Sequence, residues 1–104
     1  MENENINYKI KIIIDYLNKK LNSKYTYESK DTVKLIQERI KDGYCVDDFK
    51  TVIDKKCYSW KNTDMRIYLR PSTLFGKKFG EYLNEVLDRK GEYAIQWENI
   101  EKII

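Results

Sequence analysis

The chain has 104 residues, 20 basic and 17 acidic side chains, two cysteines, one proline and no histidine, with 36% charged residues and a mean hydropathy of -0.74. That is enough for one domain over residues 1 to 104 and too little for two. Without histidine there is no Ser-His-Asp or Cys-His nucleophile pair and no His-ligated metal, and Cys45 and Cys57 are too few and too far apart for a zinc site.

The 13 Ile, 9 Tyr, 3 Phe and 2 Trp supply the apolar area for a core despite the charge. Ile12-Ile13-Ile14, the longest wholly apolar run, is far too short to span a membrane, and the start of the chain is acidic. Two cysteines in a Lys-rich chain with no export signal read as reduced thiols, so the expected location is cytoplasmic.

Apolar spacing predicts helices almost throughout. Ile6, Ile10, Ile13, Ile14, Leu17 and Leu21 form one stripe on a helix from about residue 6 to 21. A second helix starts at Ser29 or Asp31, carries Val33, Ile36 and Ile40 inward, and stops at Gly43. The third, from about Asp47 to Trp60, has Val46, Phe49, Ile53, Cys57 and Trp60 on one stripe and an acidic start suited to the helix dipole. Short helical turns follow between residues 64 and 76, at Met65 to Leu69 and at Ser72 to Phe75. Pro71 between them turns Arg70 away from helical geometry. The fourth main helix runs from about Lys77 to Asp88 with Phe79, Tyr82, Leu83, Val86 and Leu87 inward.

Residues 92 to 104 alternate like a strand at Tyr93, Ile95 and Trp97 but fit a helical turn at Ile100, Ile103 and Ile104, and are left as an unassigned cap. The expected fold is all-α: a bundle of four main helices, with a core region over about residues 6 to 88. Asp15-Tyr16-Leu17-Asn18 and Leu21 echo Glu81-Tyr82-Leu83-Asn84 and Leu87, which reads as two similar helix surfaces entering one core.

Charge is unevenly spread. Residues 50 to 80 hold eight basic and two acidic side chains, whereas residues 1 to 49 are balanced and residues 81 to 104 carry net -3. The surplus comprises Lys50, Lys55, Lys56, Lys61, Arg66, Arg70, Lys77 and Lys78, interleaved with Tyr58, Trp60, Tyr68 and Phe75. Cations release counterions from phosphates and aromatic faces stack on unpaired bases, so the mixture suits nucleic acid. The bland reading is a Lys-rich surface with Trp60 and Phe75 in the core. Arg66 and Arg70, four apart, would face one side of a helical turn and grip phosphate or a carboxylate such as Asp64. Lys77 and Lys78 follow Gly76, but Pro71 and the missing Ser or Thr rule out a P-loop.

The segment Tyr68-Leu69-Arg70-Pro71-Ser72-Thr73-Leu74-Phe75, followed by Lys78-Phe79 and Tyr82-Leu83-Asn84, resembles the conserved phage C-terminal domain of phage replisome organisers and DnaD-like replication initiators. Tyr16-Leu17-Asn18, Arg39 with Gly43-Tyr44, Asp48-Phe49, Val52-Ile53 and Lys56 with Trp60 extend the likeness over roughly residues 13 to 84. The resemblance implies a role in phage or prophage DNA replication inside a bacterial host cell, in contact with single-stranded or origin DNA or with a helicase loader. Relatives of that kind carry the domain behind an N-terminal DNA-binding region, and this chain starts almost at the domain, as a fragment or as a small stand-alone protein. Cys45 stands where Thr or Ser would cap the third helix, and Gly80 where Glu is favoured.

Leu69, Leu74, Phe75, Phe79, Tyr82 and Leu83 are expected in the core of that motif, with Pro71 and Gly76 shaping its backbone. Lys55, Lys56, Lys61, Arg66, Arg70, Lys77 and Lys78 are the expected nucleic-acid-binding residues. No enzyme, cofactor or metal is expected, since Asp47-Asp48 serves as a helix start. The alternative is a protein-interaction module docking through Tyr8, Ile12, Tyr25, Tyr27 and Tyr58 on a replication or defence protein.

Overall fold

Helices form where the apolar residues repeat at helical spacing in the computed structural model, which describes residues 2–86. They are α1 (Glu2–Leu21), α2 (Lys30–Lys41), α3 (Val46–Trp60), a 3-10 helix (Asp64–Tyr68), α4 (Pro71–Leu74) and α5 (Phe79–Asn84). The protein is all-α, with no strand among the described residues. Residues 92 to 104, and the expected inward position of Leu87, lie outside the described residues.

The helix ends follow from local chemistry. Ser23 N donates to Asn18 O and Asn22 takes a left-handed φ of 53°, which closes α1 with six-to-one bonding. The same device closes α2: Tyr44 N donates to Arg39 O, Gly43 N to Ile40 O, and Gly43 has φ 108°. Ser29, one of the two expected caps, begins α2 by accepting from Thr32 N. At α3 the Asp48 carboxylate accepts from Cys45 N at 2.9 Å, the bond from the third helical residue back to the cap that forms one half of a capping box. Pro71 occupies the first turn of α4, after an extended Arg70.

The core joins α1 and α3 to the short helices. Ile10, Ile13, Ile14 and Leu17 of α1 meet Phe49, Val52, Ile53 and Trp60 of α3, and Ile36 enters from α2. Phe49, Phe75 and Phe79 are fully buried and pack edge-on or tilted, with ring centres 4.8 to 6.3 Å apart. Such pairs add about 0.5–1.5 kcal/mol each to the burial itself. The core positions expected from the motif hold: Leu69, Leu74, Phe75, Phe79 and Tyr82 are buried and Leu83 packs against them. The echoed helix surfaces do enter one core: Leu17 and Tyr82 are buried in it and Tyr16, Leu21 and Leu83 pack against it, though to different depths.

Two departures from the expected fold share one cause. The last described helix ends at Asn84 instead of continuing towards Asp88, and Val86 is exposed. Lys56, expected on the outer face, is fully buried, with its Nζ 2.9 Å from Glu85 Oε1 and above the rings of Trp60 at 4.0 Å and Tyr82 at 4.8 Å. Neighbouring Lys55 Nζ donates to Leu83 O at 2.5 Å and Glu85 O at 2.6 Å. Glu85 is extended, with ψ 143°, and so brings its carboxylate to Lys56 while Lys55 satisfies the helix-end carbonyls.

A charge-assisted bond also ties α2 to the turn after α4. Arg39 Nη1 donates to Gly76 O at 2.8 Å, and its Nε lies 3.2 Å from Asp42 Oδ2. A Cβ on Gly76 would stand 2.8 Å from the Ser72 carbonyl oxygen, so this turn has no space for a side chain.

Replacing Glu85 with Gln should lower the unfolding free energy by up to roughly 3–5 kcal/mol, the cost of removing the carboxylate partner of a buried ammonium, read by urea denaturation. An unchanged midpoint would mean that Lys56 does not depend on this carboxylate. Gly76→Ala should cost about 1–3 kcal/mol in the same measurement through overpacking against backbone, and full retention of stability would show that the turn relaxes.

Candidate nucleic-acid interface

Two small polar side chains build the walls of a cleft. Asn18, at the end of α1, donates from Nδ2 to Tyr25 O and accepts at Oδ1 from Tyr25 N, both at 2.8 Å, and from Ser23 Oγ at 3.0 Å. This clamps the loop between α1 and α2. Across from it, Thr63 Oγ1 donates to Trp60 O at 2.9 Å and accepts from Met65 N at 3.0 Å, which starts the 3-10 helix directly after α3. Between these walls lies an open cleft of about 430 Å³, lined by Leu21, Ser23, Tyr25, Lys61, Arg66, Ile67 and Leu69. Its lining contains two cations and no carboxylate.

The expected basic residues fall into two exposed clusters, one around the cleft and one in the turn before α5, and a third group of Lys55 and Lys56. Lys61 and Arg66 come together at the cleft. Arg70 is exposed beyond it, its guanidinium 5.6 Å from the centre of the Tyr68 ring. Lys77 and Lys78 are exposed in the turn between α4 and α5. Among the described residues, Lys61, Arg66, Arg70, Lys77 and Lys78 form no ion pair, so Asp64 and Glu81 do not neutralise Arg66 or Arg70.

The third group turns inward: Lys55 caps the end of α5 and Lys56 is a core residue, its charge spent on Glu85. The sequence held a signal for this, because Lys56 falls on the same helical stripe as Phe49, Val52, Ile53 and Trp60. Arg66 and Arg70 do not share a helical turn either. The 3-10 helix ends at Tyr68, and Pro71 holds Arg70 extended at φ -152°.

Elsewhere Lys11, Lys20 and Lys50 are engaged, whereas Lys19, Lys24, Lys30, Lys34 and Lys41 are exposed and form no ion pair among the described residues. Tyr16 donates to Asp54 Oδ1 at 2.6 Å, Lys20 Nζ stands 3.2 Å from the same oxygen, and Lys50 lies over the Tyr16 ring. The hydrogen bond to Asp54 raises the Tyr16 hydroxyl above its ordinary pKa and likewise raises Lys20. Tyr27 donates to Asp15, which raises its pKa too, and Lys11 sits above its ring. These groups brace α1 against α3 and the α1–α2 loop. Tyr8 and Tyr58 are 65% and 53% exposed and Ile12 is half-buried, while Tyr25 belongs to the cleft.

Both cysteines are free thiols, and burial pushes Cys57 up from its usual pKa, which keeps it protonated and unreactive at neutral pH. Among the described residues no three Cys, Asp or Glu side chains gather to hold a metal ion, and no helix is long and apolar enough to cross a membrane.

No curated protein and no solved structure matches the chain. The family described as "Conserved phage C-terminus" matches residues 13–84, which is more than half of the chain and takes in the cleft, the buried Lys56 and the Tyr68-to-Asn84 motif. The match coincides with the span of the likeness read from the sequence, and the chain belongs to the conserved phage C-terminus family.

Proposed function

We propose that this domain is an accessory of phage or prophage DNA replication that binds nucleic acid through the cationic surface of Lys61, Arg66 and Arg70, extended by Lys77 and Lys78. It acts without catalysis or cofactor, in the cytoplasm of a bacterial host. The observation that carries the reading is that Lys61 and Arg66 meet in a cleft lined by no carboxylate, with Arg70, Lys77 and Lys78 likewise exposed and without an ion pair among the described residues. Cations already matched by carboxylates gain little from phosphate, whereas unmatched ones gain through counterion release. The interface leaves out Lys55 and Lys56, whose ammonium groups serve α5 and Glu85.

The tie to replisome organisers and DnaD-like initiators rests on the resemblance of the Tyr68-to-Asn84 segment. Contact with a helicase loader is a further expectation of the same kind. A second reading, docking on a replication or defence protein, draws support from the exposed rings of Tyr8 and Tyr58.

The discriminating measurement is fluorescence anisotropy with single- and double-stranded DNA at two salt concentrations. Binding should weaken steeply with salt. Replacing both Lys61 and Arg66 with Ala should weaken affinity for all sequences alike and reduce the logarithmic salt slope by roughly 0.7–0.9 per lost phosphate contact. If no DNA binds at low salt, the protein-docking reading takes its place.

A further inference from the structure

We propose that the cleft between the α1–α2 loop and the 3-10 helix takes up an unpaired nucleobase, which makes single-stranded nucleic acid the preferred ligand over duplex. The inference rests on the nucleic-acid reading above and adds a chemical selectivity that phosphate contacts alone do not give. At about 430 Å³ the cleft falls within the roughly 300–1,000 Å³ of small-ligand sites. Its contents match a nucleotide in two parts: Leu21, Ile67 and Leu69 offer apolar area and Tyr25 a ring to a base, while Lys61 and Arg66 meet the flanking phosphates.

Ile67 is the telling residue. It is 63% exposed in a chain that buries most of its other isoleucines among the described residues, and covering it removes apolar surface from water. The cleft is also built before any ligand arrives. The Asn18 bonds hold Tyr25, the Thr63 bonds hold the 3-10 helix, and buried Leu69 anchors the far end. Little ordering cost therefore remains for binding.

A base paired and stacked in duplex cannot enter such a cleft, whereas an unstacked one can. An acidic peptide would satisfy Lys61 and Arg66 equally well by charge. The Tyr25 ring and the planar Arg66 guanidinium favour a flat π surface.

The test uses the whole chain and compares, by anisotropy at low salt, labelled oligothymidylate, a base-free deoxyribose-phosphate oligomer of equal length, and a duplex. Oligothymidylate should bind about tenfold tighter than the base-free oligomer, although both carry the same charge. Ile67→Ala, an exposed change that leaves the fold intact, should shrink that ratio about threefold without altering affinity for the base-free oligomer. Equal affinity for the two single strands overturns the base site and leaves phosphate recognition standing. Failure of all three ligands to bind removes the nucleic-acid reading, and the base site with it. Displacement of oligothymidylate by a glutamate-leucine peptide more effectively than by the base-free oligomer assigns the cleft to a protein ligand and likewise overturns the proposal.

Discussion

A single buried ammonium group organises the second half of this domain. Lys56 is wholly enclosed, and a charge in that position is tolerable only with a close counter-ion and polarisable neighbours. Glu85 supplies the first at 2.9 Å, and the faces of Trp60 and Tyr82 supply the second. To deliver that carboxylate the chain must leave helical geometry after Asn84, and to leave it there the loose carbonyls need a donor, which Lys55 provides. Two adjacent lysines that read as surface cations are in this way the fastening between α3 and α5.

With those lysines withdrawn, the positive surface is smaller and better defined. Its centre is a preformed cleft whose two cations stand on the end of α3 and on the 3-10 helix, opposite a loop fastened by Asn18. Rigid support on both sides distinguishes this cleft from a scatter of mobile lysines. Long side chains on a fixed frame lose less freedom on binding than side chains on loops that must themselves be ordered.

The three long helices were legible because each buries a stripe at 3.6-residue spacing, and Gly43, Ser29 and Pro71 marked boundaries by backbone chemistry alone. The motif core was legible for the same reason. What periodicity misjudged was residue type: Lys56 occupies a stripe position, but a lysine is assigned to the surface by composition. The length of the last helix was misread because its end is set by Lys55 and Lys56, some thirty residues away in sequence, and local pattern carries no such information. The cleft was out of reach as well. Tyr25 and Arg66 are brought to one place only by the packing of α1 against α3.

The distance along the chain between Lys56 and its carboxylate has a bearing on how the domain forms as it is synthesised. When α1, α2 and α3 have left the ribosome, the largest part of the apolar core can gather, but the ammonium group at its edge is still without Glu85 and must stay hydrated. Enclosure waits until about thirty more residues have been added, on the order of a few seconds at translation speeds of roughly 5–20 residues per second. Until those residues are added, Phe49 lacks the Phe75 and Phe79 rings that cover it in the folded domain. Sealing it is the act of the segment from Phe75 to Glu85, with the Lys56–Glu85 ion pair as its latch.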